Sequence, residues 1–198
     1  MNNAHRLLRF LAGLFAVATA LAQGTVAFAN YNGNGINAPV YDTDGVTKLG
    51  SAFYAQLYAG PTADSLAPAG IPIRFKDYQG KPTGYFIGGK VAIPSVAEGT
   101  VAYCQVRAWP VCAGESFEAA QAGGARWGVS NVLRLGTGGD HLDPPLIPAP
   151  LTGLASFTLV PEPGTASLLM AGFGGWFLWR HTKAKSRATS NSDRRPTP

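Results

Sequence analysis

Histidine is scarce in this chain of 198 residues, which has three in all, and only His141 lies between the two ends. A histidine base needs a nucleophile and an orienting group within hydrogen-bond reach. His141 instead stands among Gly138, Gly139, Asp140, Asp143 and Pro144, the composition of a solvated loop. Asp140 and Asp143 fall short of a metal-ligand pattern because no second cluster completes the set, so neither a catalytic residue nor a cofactor is expected. A basic stripe is also missing. The formal net charge is +5, but residues 1–22 carry +2 and residues 180–198 carry +5, whereas residues 23–160 carry −1. Phosphate binding needs its positive charge on the folded part, so a nucleic-acid partner is not expected.

Helix-forming stretches are few, and there is no internal repeat of fixed period. Gly, Pro, Asn and Asp interrupt short runs of Val, Ile, Phe, Tyr and Thr at intervals of roughly 8–12 residues. This pattern predicts an all-β fold, a single β-sandwich of jelly-roll or Ig-like type. The middle of the chain is long enough for one core and too short for two. Strands are expected at Thr25–Phe28 and at Phe53–Ala59, where Phe53, Ala55 and Leu57 alternate with Tyr54, Gln56 and Tyr58 as in a half-buried strand. Others follow at Ile71–Phe75, Gly84–Ile87 and Lys90–Ile93, the last two divided by Gly88-Gly89. Thr100–Trp109 places Ala102, Cys104, Val106 and Ala108 on an inner face. Glu115–Ala122, stopped by Gly123-Gly124, is the expected helix. Val129–Leu135 and Ser156–Val160 complete the strands, with a long loop over Gly136–Gly153. Asp42-Thr43-Asp44-Gly45 has half of a calcium-loop spacing, but lacks the third ligand and the distal Glu, and a hairpin turn explains it more simply. Tyr54, Tyr58, Tyr103 and Trp109 would suit a carbohydrate-binding module if they shared an exposed face.

The two ends have a different character. His5, Arg6 and Arg9 precede an apolar run from Phe10 to Leu21, and Ala20 and Ala22 provide small side chains in A-x-A spacing. That order reads as a signal peptide over residues 1–22, cut by signal peptidase after Ala22. Ala27-Phe28-Ala29 offers a weaker second site. At the other end, the 17 residues between Glu162 and Arg180 carry no charge, close to the minimum for crossing a hydrocarbon core of about 30 Å. Arg180, Lys183, Lys185 and Arg187 follow directly and would hold that end in the cytoplasm. A domain exported from the reducing cytoplasm makes a disulfide between Cys104 and Cys112 the expected pairing.

Val160-Pro161-Glu162-Pro163, the apolar segment and the basic cluster together resemble the C-terminal sorting signal of PEP-CTERM proteins, which Gram-negative bacteria export and present to an exosortase. Tyr58-Ala59-Gly60-Pro61-Thr62, Gln105-Val106-Arg107-Ala108-Trp109 and Ser156-Phe157 are similar to segments of small PEP-CTERM proteins from verrucomicrobia-type bacteria. The resemblance implies the secretion machinery, an exosortase-like processing enzyme, the membrane and exopolysaccharide as partners, and it implies no enzymatic activity. The chain departs from the pattern in its tail, which runs nineteen residues past Trp179 where a few arginines are usual. The expected organisation is a signal peptide (1–22), an ectodomain (23–158), a sorting signal (159–187) and a basic tail (188–198).

Overall fold

The computed structural model describes residues 22–33 and 35–161. The β-branched and aromatic runs form strands β1 (Gln23–Ala29), β2 (Phe53–Gly60), β3 (Ala67–Arg74), β4 (Asp77–Tyr78), β5 (Lys81–Pro82), β6 (Ile87–Ala97), β7 (Val101–Pro110), β8 (Gly128–Val129), β9 (Leu133–Gly136) and β10 (Ala149–Pro150). One short helix, α1 (Phe117–Ala122), accompanies them. The described residues are therefore mostly β-sheet, as the punctuation predicts. A three-stranded sheet has the order β10-β1-β6, a five-stranded one the order β3-β2-β7-β8 with β9 also paired to β7, and β4 and β5 form a separate ribbon. One core cluster takes Val26, Phe28 and Ile93 from the first sheet and Ala55, Leu57, Val106 and Leu133 from the second.

β7 is the clearest case of pattern becoming structure. Ala102, Cys104, Val106 and Ala108 alternate into the core and are fully buried, while β2 pairs with the strand from Phe53↔Pro110 to Gly60↔Tyr103. β2 itself is buried on both faces rather than half-buried, because α1 covers the face bearing Tyr58. Six residues are too few for a stable isolated helix. α1 holds through the Ser116 hydroxyl, which accepts from the Ala119 N–H at 3.1 Å, and through Phe117, whose ring meets both Tyr58 and Trp109 edge-on at 6.0 Å.

Four expectations fail, two of them for reasons visible in the packing. Gly88-Gly89 does not divide two strands: β6 runs through both glycines, with a register shift opposite Phe28 and Ala29. A Cβ on Gly88 would lie 2.6 Å from a Phe28 ring carbon, so the residue permits a close approach of strand to ring. Val129–Leu135 splits into β8 and β9 because Ser130 turns inward and its hydroxyl accepts the Val106 N–H at 2.9 Å. Ser156–Val160 makes isolated bridges, Tyr41↔Thr158 and Trp127↔Val160, instead of a strand. The loop expected over Gly136–Gly153 contains β10, which lies parallel to β1 with Val26 opposite Ala149.

The long strand β7 gives the molecule two ends. Near Val101 lie Thr137, whose N–H donates to the Thr100 carbonyl, then Gly138 bonded to Thr25, and Glu98 bonded to Ala22. Near Pro110 lie β8, with Gly128 opposite Ala108, and the Trp127–Val160 bridge. Ten residues of strand separate these groups, about 30 Å. The start of β1 and the exit of the chain toward residue 162 therefore occupy opposite ends.

Candidate functional site

The start of β1 is tied into the folded part at Ala22, whose carbonyl accepts the Glu98 N–H at 3.0 Å. Cutting after Ala22 leaves all of β1 in place. Cutting after Ala29 would remove the middle strand of the three-stranded sheet together with the buried Val26 and Phe28. Ala20 lies outside the described residues. At the opposite end the Val160 N–H donates to the Trp127 carbonyl at 2.6 Å, and Val160 and Pro161 are exposed. Glu162, Pro163, the apolar segment 164–179 and Arg180, Lys183, Lys185 and Arg187 lie outside the described residues. Among those described, no helix is long and apolar enough to cross a membrane.

A cleft of about 480 Å³ opens beside the start of β1, lined by Ala22, Gln23, Thr25, Lys90, Glu98 and His141 among others. Glu98 lies in the turn between β6 and β7, and its side chain is only 9% exposed. Its carboxylate lies 3.5 Å from His141 Nδ1 and accepts the His141 backbone N–H at 3.3 Å. Lys90, on β6, bonds Asp140, and this ammonium holds the Asp140 carboxyl below the usual carboxylate range. Thr25 is 5% exposed, and its hydroxyl has no hydrogen-bond partner among the described residues. The fold thus brings His141 together with two carboxylates. Asp140 is engaged by Lys90, and among the described residues the Thr25 hydroxyl makes no hydrogen bond to His141. Thr25, Lys90 and Glu98 carried no signal in the sequence, because they meet across 73 positions of chain.

The aromatic residues do not form an exposed row. Tyr58 and Trp109 are buried beneath α1, and Tyr54 tilts 52° to Trp109. Arg107 stacks over the Tyr58 ring at 3.8 Å, and the Tyr58 hydroxyl donates to Glu118 at 2.8 Å. Burial first, and the Glu118 carboxylate second, push the Tyr58 phenol well above its ordinary range. This side of the second sheet is a small packed core sealed by an ion pair, which leaves sugar rings no stacking surface at Tyr58 and Trp109.

Asp42-Thr43-Asp44-Gly45 forms the turn its sequence suggests. Asp44 accepts from the N–H groups of Val46 and Thr47 and from the Thr47 hydroxyl, and that hydroxyl is the main reason its carboxyl titrates low. Asp42 pairs with Arg126 at 3.0 Å. Among the described residues no group of three or more His, Cys, Asp or Glu is arranged to hold a metal ion.

The expected Cys104–Cys112 bridge is not formed: both thiols are free, Cys104 buried and Cys112 exposed. The reason is the strand between them. From Cys104 to Pro110 the chain is extended, about 20 Å, whereas a disulfide needs Cα atoms about 4–7 Å apart. Burial raises the Cys104 thiol to about 11. No protein-family model, no curated protein and no solved structure matches the chain.

Proposed function

We propose that the chain is an exported, non-enzymatic protein of the Gram-negative cell envelope, folded as a single β-sandwich and delivered by a PEP-CTERM-type sorting signal. The reading rests on the resemblance carried by Val160-Pro161-Glu162-Pro163 and the segments around it. One observation supports it most: Gln23, the residue after the expected cut, opens β1, and Val160, the first residue of the sorting motif, is bonded to Trp127, with these two positions at opposite ends of β7. In that arrangement the Val160 end faces the membrane and the Gln23 end faces away. The sandwich reading draws on the shared core, since β1 and β6 bury one face against the buried face of β2 and β7.

Val160 is still bonded to Trp127, so almost no linker separates the domain from the apolar segment, and an exosortase-like enzyme would act close against the folded surface. Exopolysaccharide is the extracellular partner that the resemblance implies. Replacing Arg180, Lys183, Lys185 and Arg187 with Ser tests the anchor. Retention in the membrane fraction should fall severalfold, because the charges holding that end inside are lost from a span already near its minimum length. Unchanged retention would contradict the reading.

A further inference from the structure

We infer that the cleft beside β1 is a docking site for the chain's own new amino terminus, the α-ammonium created at Gln23 when the signal peptide is removed. The inference rests on the export reading above. Its geometry comes from the strand register. Thr25 donates to the Gly138 carbonyl at 3.0 Å and accepts the Gly138 N–H at 2.8 Å, an antiparallel bridge. The β1 register shifts between Gln23 and Gly24, and Gln23 lines the cleft together with Glu98, Asp140 and His141. N–H groups two residues apart in a strand point the same way, so the Gln23 nitrogen points toward the 138–141 loop, while the Ala22 carbonyl points the other way, to Glu98.

The charges of the cleft ask for one more cation. Lys90 contributes one positive charge, Glu98 and Asp140 one negative charge each, and His141 is neutral when unprotonated, leaving one carboxylate in excess. The Glu98 side chain is 9% exposed, and its contacts to the His141 Nδ1 and N–H are both long, at 3.5 and 3.3 Å. The Thr25 hydroxyl, buried beside the cleft, has no hydrogen-bond partner among the described residues. An ammonium brings three donors to a place whose unused groups include acceptors on Glu98, Asp140 and Thr25. Cleavage also removes Ala22 from the cleft wall, which gives the new terminus room. A docked ammonium keeps its proton to higher pH than a free one. Its contribution to stability is therefore complete below the ordinary α-amino range of about 7.7–8.0 and is lost as pH rises through the higher folded value.

The experiment uses the exported mature protein. Its intact mass is measured first, and the α-amine is then labelled with limiting acetic anhydride at pH 7 and read at the N-terminal peptide. In the folded protein Gln23 should label about tenfold more slowly than in urea, the effect of one pH unit of stabilised charge. The Glu98→Gln, Asp140→Asn double variant should restore the fast rate while remaining folded by circular dichroism. Equal rates in folded and urea-unfolded wild type would overturn the inference without recourse to any variant. Slow labelling that persists in the folded double variant would also overturn it, by showing shielding without charge. A chain beginning anywhere but Gln23 would overturn the cleavage reading and the docking site together, whereas a Gln23 start with unslowed labelling overturns the docking site alone.

Discussion

Cys104 illustrates how far a residue type can be read without its neighbours. Its place on the inward face of Thr100–Trp109 was legible from the alternation of small side chains. Its expected partner was not, because the strand that buries it also carries the chain away from it. Thiol labelling tests the difference. Cys112 should react at once with iodoacetamide in the native, unreduced protein, whereas Cys104, fully buried and with its thiol raised to about 11, should react only on unfolding. Protection of both until a reductant is added would contradict the structure and restore the disulfide. Thr25, Lys90, Glu98 and Asp140 mark the opposite limit. Each looks ordinary in its own segment, and the cleft exists only after β1, β6 and the 138–141 loop have met.

At the scale of elements, alternation made β7 legible and left β6 illegible, since two adjacent glycines have the same appearance in a turn and in a strand pressed against a ring. α1 was visible as a helix but not as the cover of β2 and β7, because a six-residue segment holds no information about which face it will meet. Asn30 shows how loops are fixed between these elements. It follows β1 directly and is completely buried. Its amide donates to the carbonyls of Ala38 and Gly84 at 2.8 Å each, and its side-chain oxygen accepts the Phe86 N–H at 2.7 Å. One side chain thus ties the end of β1 to two separate loop segments. Asn30→Ala leaves the Phe86 N–H and the Ala38 carbonyl without these partners, and a buried group so orphaned costs about 1–3 kcal/mol. Urea unfolding should record a loss of about 2–4 kcal/mol at unchanged m-value. A change below about 0.5 kcal/mol, the level typical of surface substitutions, would remove Asn30 from this role.

For the whole molecule, charge order speaks for the two ends and the punctuation of turn residues for the middle. Composition alone could not say that the ends of the domain point in opposite directions; that follows from β7 running from the Glu98 turn to the Trp127 bridge. Fold class was legible because turn residues recur often enough to exclude long helices. Ligand and partner were not, since the resemblance carries an address and no chemistry. The address is therefore the part to test. Intact-mass analysis of the protein recovered from fractionated cells, comparing membrane, periplasmic and cytoplasmic fractions, does so most directly. The proposed export predicts a species beginning at Gln23, in the membrane fraction with its C-terminus intact or released after trimming near Pro161–Pro163. A full-length chain beginning at Met1 and recovered as a soluble cytoplasmic protein would contradict it.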